Sequence, residues 1–279
     1  MKVLLTILIG ALLVGTAMAE YVDFDNVPYS PGFYLQGYPA YSTASKAYDS
    51  NGDAQEYSGD SWSAMGFGLR PAYYGMMGEN RWMVSAWVPF NSVSPSVGDS
   101  EAGIGDIQMS AAYWLIDDHK QGTYFSFWFW ADLPVGDDTK GLGTGQANLR
   151  PGVAWAMDKP QYRVQASVYY NLRMKYTESI MSTDVDVKYG NELWANFNWG
   201  YYASPTFTPG VEVQTGWGQD GKIMNVSIPD SKSQWFRTGP YFEYQVQPNF
   251  GLKVAGLYNV MGKNSNQSFD IQARATWGF

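Results

Sequence analysis

Cysteine is missing from the chain, histidine occurs once, and only 16% of the residues are charged. The absence of cysteine excludes disulfides, thiolate catalysis and zinc sites with cysteine ligands. The single imidazole, at His119, excludes a His-rich metal cluster, and any hydrolase triad would have to use it. The net charge of −8 argues against a nucleic-acid partner, which needs a clustered basic surface. This composition disfavours most classes of enzyme.

Long apolar runs are also missing, except at the amino terminus. Met1-Lys2 is followed by an apolar run from Val3 to Val14 and by the small-residue motif Ala17-Met18-Ala19, which together are typical of a secretory signal peptide. We therefore expect residues 1–19 to be cleaved and residues 20–279 to form one domain. No later window approaches the ~20 consecutive apolar residues that a membrane-spanning helix needs.

The chain is rich in alternation of apolar and polar residues at period 2, which indicates β-strands. In the last segment Phe269, Ile271 and Ala273 share one face, and Asp270 and Gln272 share the other. Clusters of turn-forming residues divide the chain into about twelve such segments. We predict strands near residues 33–43, 61–74, 81–90, 104–116, 123–133, 147–157, 161–175, 191–202, 206–217, 234–246, 249–261 and 267–279.

The connections between these segments alternate between tight turns and long polar loops. Residues 158–160 form a tight turn, for example, and residues 176–190 form a long loop. An even number of strands with this alternation is typical of outer-membrane barrels. We predict an all-β fold, a transmembrane antiparallel up-and-down β-barrel of about twelve strands, in the outer membrane of a Gram-negative bacterium.

Large aromatic residues lie near the ends of several predicted strands, among them Trp82, Phe90 and Trp199. In a membrane barrel such rings form two girdles at the lipid–water interfaces. The alternative fold is a soluble, exported β-sandwich or barrel, in which the apolar faces point inward. A soluble core would bury its largest rings at mid-strand, so the pattern favours the membrane barrel.

Several short motifs resemble one protein family. Gly103 to Ile107, Leu133 to Asp137, Ala44 to Gly52, Val88 to Phe90 and the ending from Gly239 to Phe279 are similar to the outer-membrane proteins grouped as "putative MetA-pathway of phenol degradation". Members often carry Pro-Thr-Gly where this chain has Pro-Val-Gly. The resemblance covers most of the chain after residue 19 and implies a transporter-like barrel, linked in several members to the breakdown of aromatic compounds. It supplies no catalytic residues, and we expect no cofactor and no metal.

The polar face of each predicted strand would line the lumen, because a charge placed in hydrocarbon costs several kcal/mol. That face carries both signs of charge: Arg70, Arg81, Arg150, Arg163, Arg173, Lys175, Arg237, Lys253 and Arg274, and Asp106, Asp132, Glu192, Glu212, Glu243 and Asp270. One interpretation is that these groups pair across the lumen. The other is that the arginines form a ladder that binds an anion or an aromatic acid.

Aromatic residues share the same inward parity: Tyr34, Tyr38, Trp87, Trp114, Trp128, Trp130 and Tyr169. These rings either fill a narrow lumen or offer a contact surface to a hydrophobic or aromatic solute. The segment from Tyr124 to Trp130 is apolar on both faces, so something apolar must meet its inward side as well.

The sequence therefore favours a channel or transporter for small hydrophobic or aromatic solutes, with a plugged barrel in a structural or surface-interaction role as the alternative. The expected partners are outer-membrane lipid, the barrel-assembly machinery and the solute. Trp277 and Phe279 on the last strand look like the signal that this machinery reads. An enzyme such as an outer-membrane phospholipase is disfavoured, because His119 lies in a tight turn without an adjacent serine. The loop from Asp49 to Glu56 offers oxygen ligands but lacks the spacing of an EF-hand.

Overall fold

The computed structural model describes residues 26–57, 59–96, 98–180 and 183–279, and the predicted signal peptide lies outside them. Twelve long antiparallel strands form the main sheet, which confirms the predicted number. They are β1 (Gly32–Ala44), β2 (Trp62–Met77), β3 (Asn80–Ser94), β4 (Ile107–Asp118), β5 (Thr123–Leu133), β6 (Asn148–Asp158), β7 (Tyr162–Arg173), β8 (Glu192–Tyr201), β9 (Phe207–Gly218), β10 (Gln234–Gln247), β11 (Phe250–Lys263) and β12 (Phe269–Gly278).

The sheet closes into a barrel because each strand pairs with the next and β1 pairs with β12. Tyr34 lies opposite Gly278, and Thr43 lies opposite Phe269. Closure leaves no free sheet edge, which is the condition for a sheet in lipid, where water cannot satisfy backbone N–H and C=O groups. The predicted up-and-down barrel is confirmed.

The barrel is apolar outside and polar inside, the reverse of a soluble protein. Met65 is 61% exposed and Trp217 is 47% exposed on the outer surface, whereas Gln36 and Gln214 are fully buried inside. An outer wall of this kind suits acyl chains, and the soluble sandwich is excluded. Within the described residues, no helix is long and apolar enough to cross a membrane.

Short turns join the strands at one end of the barrel, which we assign to the periplasmic side. Outward-facing rings pair at that end: Tyr73 with Trp82 at 5.7 Å, and Phe250 with Trp277 also at 5.7 Å between centroids. β2 and β3 extend further than predicted, so the turn expected over residues 75–80 shortens to residues 78–79. Gly78 permits this turn, because its φ of 65° lies in the left-handed region.

Longer loops leave the other, extracellular end and form small sheets of their own. Thr183–Lys188 pairs with Tyr176–Ile180 and with Lys222–Ile223, which joins the loop after β7 to the loop after β9. Another small sheet is made by Lys46–Tyr48, Ala54–Glu56 and Ser265–Asn266. The strand Glu101–Ile104 pairs with the end of β3, and Val226–Ser227 pairs with Lys222–Ile223.

Candidate functional site

The predicted lumen residues on the strands face the interior of the barrel, and two others, Asp106 and Lys175, lie outside the strands. Lys175 was expected in the lumen, but β7 ends at Arg173, and the Lys175 side chain is 52% exposed in the following loop. There its ammonium lies 2.7 Å from a carboxylate oxygen of Asp186. The alternation sets which side a strand residue faces, but it does not fix where the strand ends.

A continuous series of rings, which we call the aromatic ladder, crosses the lumen. Consecutive ring centroids lie 5.0–6.0 Å apart, within the range of attractive aromatic pairs. Its members, in order, are Trp235, Trp194, Tyr169, Trp130, Trp128, Trp114, Tyr74 and Tyr34. Trp235 lies at the extracellular end of β10, and Tyr34 lies at the periplasmic end of β1. Tyr74, Trp114, Trp128, Tyr169 and Trp194 are buried and pack in one hydrophobic cluster, so the ladder forms a continuous aromatic core from one end of the lumen to the other.

Sequence reasoning found five of these rings and missed Tyr74, Trp194 and Trp235. Each of them is an even number of residues from a predicted inward charge on the same strand: Tyr74 from Arg70, Trp194 from Glu192, and Trp235 from Arg237. The alternation therefore predicts that all three rings face inward. Two other predicted rings, Tyr38 and Trp87, are buried elsewhere on the lumen wall. There the Tyr38 hydroxyl donates to Gln36 Oε1 at 2.8 Å.

Glycines on neighbouring strands make room for the lumen rings. Gly152 lies opposite Tyr169 and Gly216 opposite Trp235 in the strand register. A Cβ built on Gly216 would come within 2.5 Å of the Trp235 indole, and one on Gly152 within 2.5 Å of the Tyr169 Cβ. Without a side chain opposite them, Tyr169 and Trp235 can lie against the barrel wall.

Ion pairs line the lumen between and opposite the rings. Arg173 Nη2 donates to Glu192 Oε2 at 2.8 Å, and Lys253 Nζ donates to Glu212 Oε2 at 2.9 Å. Arg150 is also paired, with Asp132. The three pairs are nine-tenths buried or more. These contacts favour the interpretation that the inward charges pair with each other, over a ladder of arginines awaiting an anion.

A second group of paired charges lies nearer the periplasm. Arg163 contacts Asp158 at 3.3 Å and Glu243 at 3.4 Å, and Arg274 contacts Glu243 at 3.8 Å. Higher in the barrel, Arg237 contacts Asp270 at 3.3 Å. The periplasmic group joins β6, β7, β10 and β12 across the lumen, so it both neutralises charge and braces the wall.

Arg70 extends this polar lining on β2 with neutral partners. Its Nε donates to Ser85 Oγ at 2.8 Å, and its Nη1 donates to Gln36 Oε1 at 3.1 Å.

An internal cavity of ≈ 160 Å³ lies at the extracellular end of the lumen. Its roof is the junction of two loops, where Val187 pairs with Ile223. Trp235 forms part of its wall, so the cavity opens onto the first ring of the ladder. Arg173 also lines it, and its guanidinium lies 5.6 Å from the Tyr189 ring centroid. The cavity thus has Val187 and Ile223 in its roof and an aromatic ring at its side, and charged and polar side chains complete its lining.

Asp106, which belongs to one of the short motifs, fastens the loop after β5 over the mouth. Its carboxylate accepts hydrogen bonds from Gly136 N at 3.1 Å and from Thr144 N at 2.7 Å. Burial raises the pKa of Asp106, and these hydrogen bonds partly oppose that shift. A Cβ on Gly136 would meet Gly143 Cα at 2.8 Å, so the motif glycines allow two backbones to touch. The motif therefore has a structural explanation at the extracellular mouth.

Residues 26–31, which we call the N-terminal arm, enter the lumen from the periplasmic side. Asn26 is 3% exposed, and its carbonyl oxygen accepts a hydrogen bond from Trp114 Nε1 at 2.9 Å. Arg81 Nη1 donates to the carbonyl oxygens of Pro28 at 2.9 Å and Tyr29 at 3.0 Å. The arm thus occupies the periplasmic end of the bore. It precedes the first strand, so strand periodicity carried no signal for it.

His119, the one imidazole, belongs to the anchor of this arm. Its Nε2 lies 3.0 Å from Asp117 Oδ1, and its Nδ1 lies 3.0 Å from Arg81 Nη2 and 3.1 Å from the Tyr124 hydroxyl. Asp117 in turn accepts from Arg81 Nη2 at 2.7 Å. These contacts orient the guanidinium toward the arm and give the imidazole a structural role in that anchor.

The loop from Asp49 to Glu56 does not assemble a cation site. Asp49 Oδ1 accepts hydrogen bonds from the backbone N–H groups of Asn51, Gly52 and Asp53 at 2.8–3.0 Å. Those bonds lower the pKa of Asp49 and shape a turn. In the described ranges, no group of three or more His, Cys, Asp or Glu side chains is placed to hold a metal ion.

Comparison with known proteins places the chain among barrels. A family described as "Putative MetA-pathway of phenol degradation" matches residues 44–275. An outer membrane channel of Pseudomonas putida F1 is similar in structure, with a TM-score of 0.82 and 16% identity over 93% of this chain and 100% of that chain. The TodX monoaromatic hydrocarbon channel, as a deltaS2 mutant, gives a TM-score of 0.54 and 8% identity over 91% and 92% of the two chains. None of the curated protein sequences matches.

Proposed function

Since the chain belongs to the family described as "Putative MetA-pathway of phenol degradation", we propose that it is an outer-membrane channel of a Gram-negative bacterium for small, neutral aromatic solutes. The observation that carries this proposal is the aromatic ladder, which runs unbroken from Trp235 at the extracellular cavity to Tyr34 at the periplasmic end. A solute ring that moves along the ladder would exchange one aromatic contact for the next.

The size of the extracellular cavity supports a solute with a single ring. Its volume is ≈ 160 Å³, and an apolar protein cavity of about 150 Å³ is known to bind benzene. Val187, Ile223 and Trp235 give it apolar and aromatic walls. We therefore infer that this cavity takes up a monocyclic solute before it moves to Trp194.

The charge pattern supports a neutral solute rather than an aromatic acid. Of the four cations that line the cavity, Arg173 is held by Glu192 at 2.8 Å and Arg237 faces Asp270 at 3.3 Å, while Lys188 and Lys222 belong to the loop sheet that forms its roof. A carboxylate entering here would have to displace one of these acids or be buried beside it, and both cost free energy.

The names of similar structures agree with this proposal. The P. putida barrel is an outer membrane channel, and TodX is a monoaromatic hydrocarbon channel. A second candidate function is a structural barrel with a filled lumen, and the buried N-terminal arm favours it. The two candidates differ in whether a solute alters the ionic current.

Single-channel recording in planar bilayers tests the proposal. We expect phenol to change the current at concentrations at which benzoate has no effect. Trp194→Ala removes the ring between Tyr169 and Trp235. At about 1 kcal/mol for a lost aromatic pair, it should shift the phenol midpoint about fivefold. Trp217→Ala is the matched control, because Trp217 faces lipid and is 47% exposed. A folded barrel whose current ignores phenol in the wild type and in both variants would support the structural role instead.

A further inference from the structure

The last ring contact in the lumen is made by the N-terminal arm and not by the barrel. The Tyr29 ring stacks on Tyr34 with a centroid distance of 4.8 Å and an interplanar angle of 27°. It also meets Tyr74 edge-on at 5.5 Å and 87°. Tyr29 thus makes the contacts that neighbouring rings make with each other higher in the ladder.

Within the described residues, the arm takes part in no strand of the barrel sheet. Four hydrogen bonds to its backbone carbonyls come from three side chains: two from Arg81, one from Trp114 to Asn26, and one from the Tyr34 hydroxyl to Ser30 at 3.0 Å. Carbonyls released from such bonds can be hydrated at the periplasmic mouth. The arm can therefore leave the lumen without a backbone group losing its hydrogen bond.

We propose that the space filled by Tyr29 is a binding site for the aromatic ring of the solute, the last one before the periplasm, and that Tyr29 is a built-in occupant which the solute displaces. This inference rests on the proposed function. A solute ring that reaches Tyr74 competes with Tyr29 for the same two tyrosine faces. When the solute ring displaces Tyr29, the arm moves out of the lumen and the periplasmic end of the bore opens.

The surroundings of the site select a neutral ring. Arg81, the cation beside it, is bound to the carboxylate of Asp117 at 2.7 Å, and this pairing does not depend on the arm. Tyr34 and the fully buried Tyr74 form the aromatic walls. A solute with a saturated ring offers no π-face to Tyr34, so it competes less well with Tyr29.

Thiol labelling can follow the arm directly, because the native chain contains no cysteine. Asn26→Cys places a thiol at a position that is 3% exposed and whose Oδ1 makes no hydrogen bond, so the substitution disturbs little. Ser30→Cys is the matched control at an exposed position of the same arm. The purified full-length protein is treated with a hydrophilic maleimide, with phenol or cyclohexanol as the probe.

We expect phenol to raise the labelling rate of Asn26→Cys at least tenfold, cyclohexanol to raise it much less, and neither to change Ser30→Cys. Tyr29→Ala in the Asn26→Cys background should be labelled quickly without phenol, whereas Tyr29→Phe should behave like the parent. Slow labelling of Asn26→Cys at phenol concentrations that alter the current would overturn the displacement of Tyr29 and leave the channel function standing. No current response to phenol in the wild type or in Tyr29→Ala would count against the channel function itself.

Discussion

The paired charges at the extracellular cavity predict that this barrel can be changed from a preference for neutral rings to a preference for aromatic acids by one substitution. Glu192→Gln keeps the size of the side chain but removes the carboxylate 2.8 Å from Arg173. Trp194 Nε1 donates to the same oxygen at 2.8 Å, and a glutamine carbonyl can still accept that bond. The variant therefore leaves Arg173 without this counter-charge at the cavity wall.

The size of the effect follows from the distance. Two unit charges about 4 Å apart attract by about 4 kcal/mol at an effective dielectric constant of about 20. Part of this is lost because the benzoate carboxylate must give up water. We expect a net gain in benzoate binding of about 1–2 kcal/mol, which corresponds to an increase in affinity of about five- to thirty-fold. The affinity for phenol should change little.

Isothermal titration calorimetry of the detergent-solubilised protein measures both affinities. Glu56→Gln is the matched control, because Glu56 pairs with Lys46 at 2.8 Å in an exposed loop sheet away from the cavity. Equal benzoate affinity in the wild type and Glu192→Gln would refute the argument that the lumen charges exclude acids by mutual pairing.

Three further predictions concern stability and assembly. Lys253→Met should lower the free energy of unfolding by about 3–5 kcal/mol, because it leaves Glu212 buried without the ammonium at 2.9 Å. Adding Glu212→Gln should restore most of it in urea titrations followed by tryptophan fluorescence, and no recovery would refute a charge-based cost. Because burial raises the pKa of Asp106, the folded barrel binds this proton more tightly than the unfolded chain, so the wild type should gain stability over Asp106→Asn as pH falls towards 3.8. The opposite pH trend would show that the hydrogen bonds to its carboxylate outweigh burial. Deletion of Phe279, which is 74% exposed beside Trp277, should reduce the amount of heat-modifiable barrel in the outer membrane, whereas Phe269→Leu on the same strand should not; normal levels would contradict its role as an assembly signal.

Local alternation was enough to predict the barrel wall. The inward parity of Arg150, Glu212 and Asp270 followed from the period of two, because a charge on the lipid side is too costly. The same rule failed for Lys175, which lies past the end of β7 in a loop held by its own pairing. Strand ends depend on loop packing, which the alternation of a single strand does not contain.

The partners of lumen residues could not be predicted from the sequence. Parity says that Arg163 and Glu243 both face inward, but their contact at 3.4 Å depends on the stagger of the strands around the closed barrel. The roofed cavity and the N-terminal arm could not be predicted from the sequence either. The first arises from pairing between two loops, and the second from Tyr29, which belongs to no strand.

The glycines opposite the lumen rings have a consequence for the width of the bore. Gly152 and Gly216 contribute only hydrogen atoms where any other residue would push Tyr169 or Trp235 toward the axis. The diameter of the passage is thus encoded on the strand next to each ring, in residues that never touch a solute. Gly152→Ala and Gly216→Ala, introduced one at a time, would therefore narrow the barrel in steps while every aromatic residue stays in place.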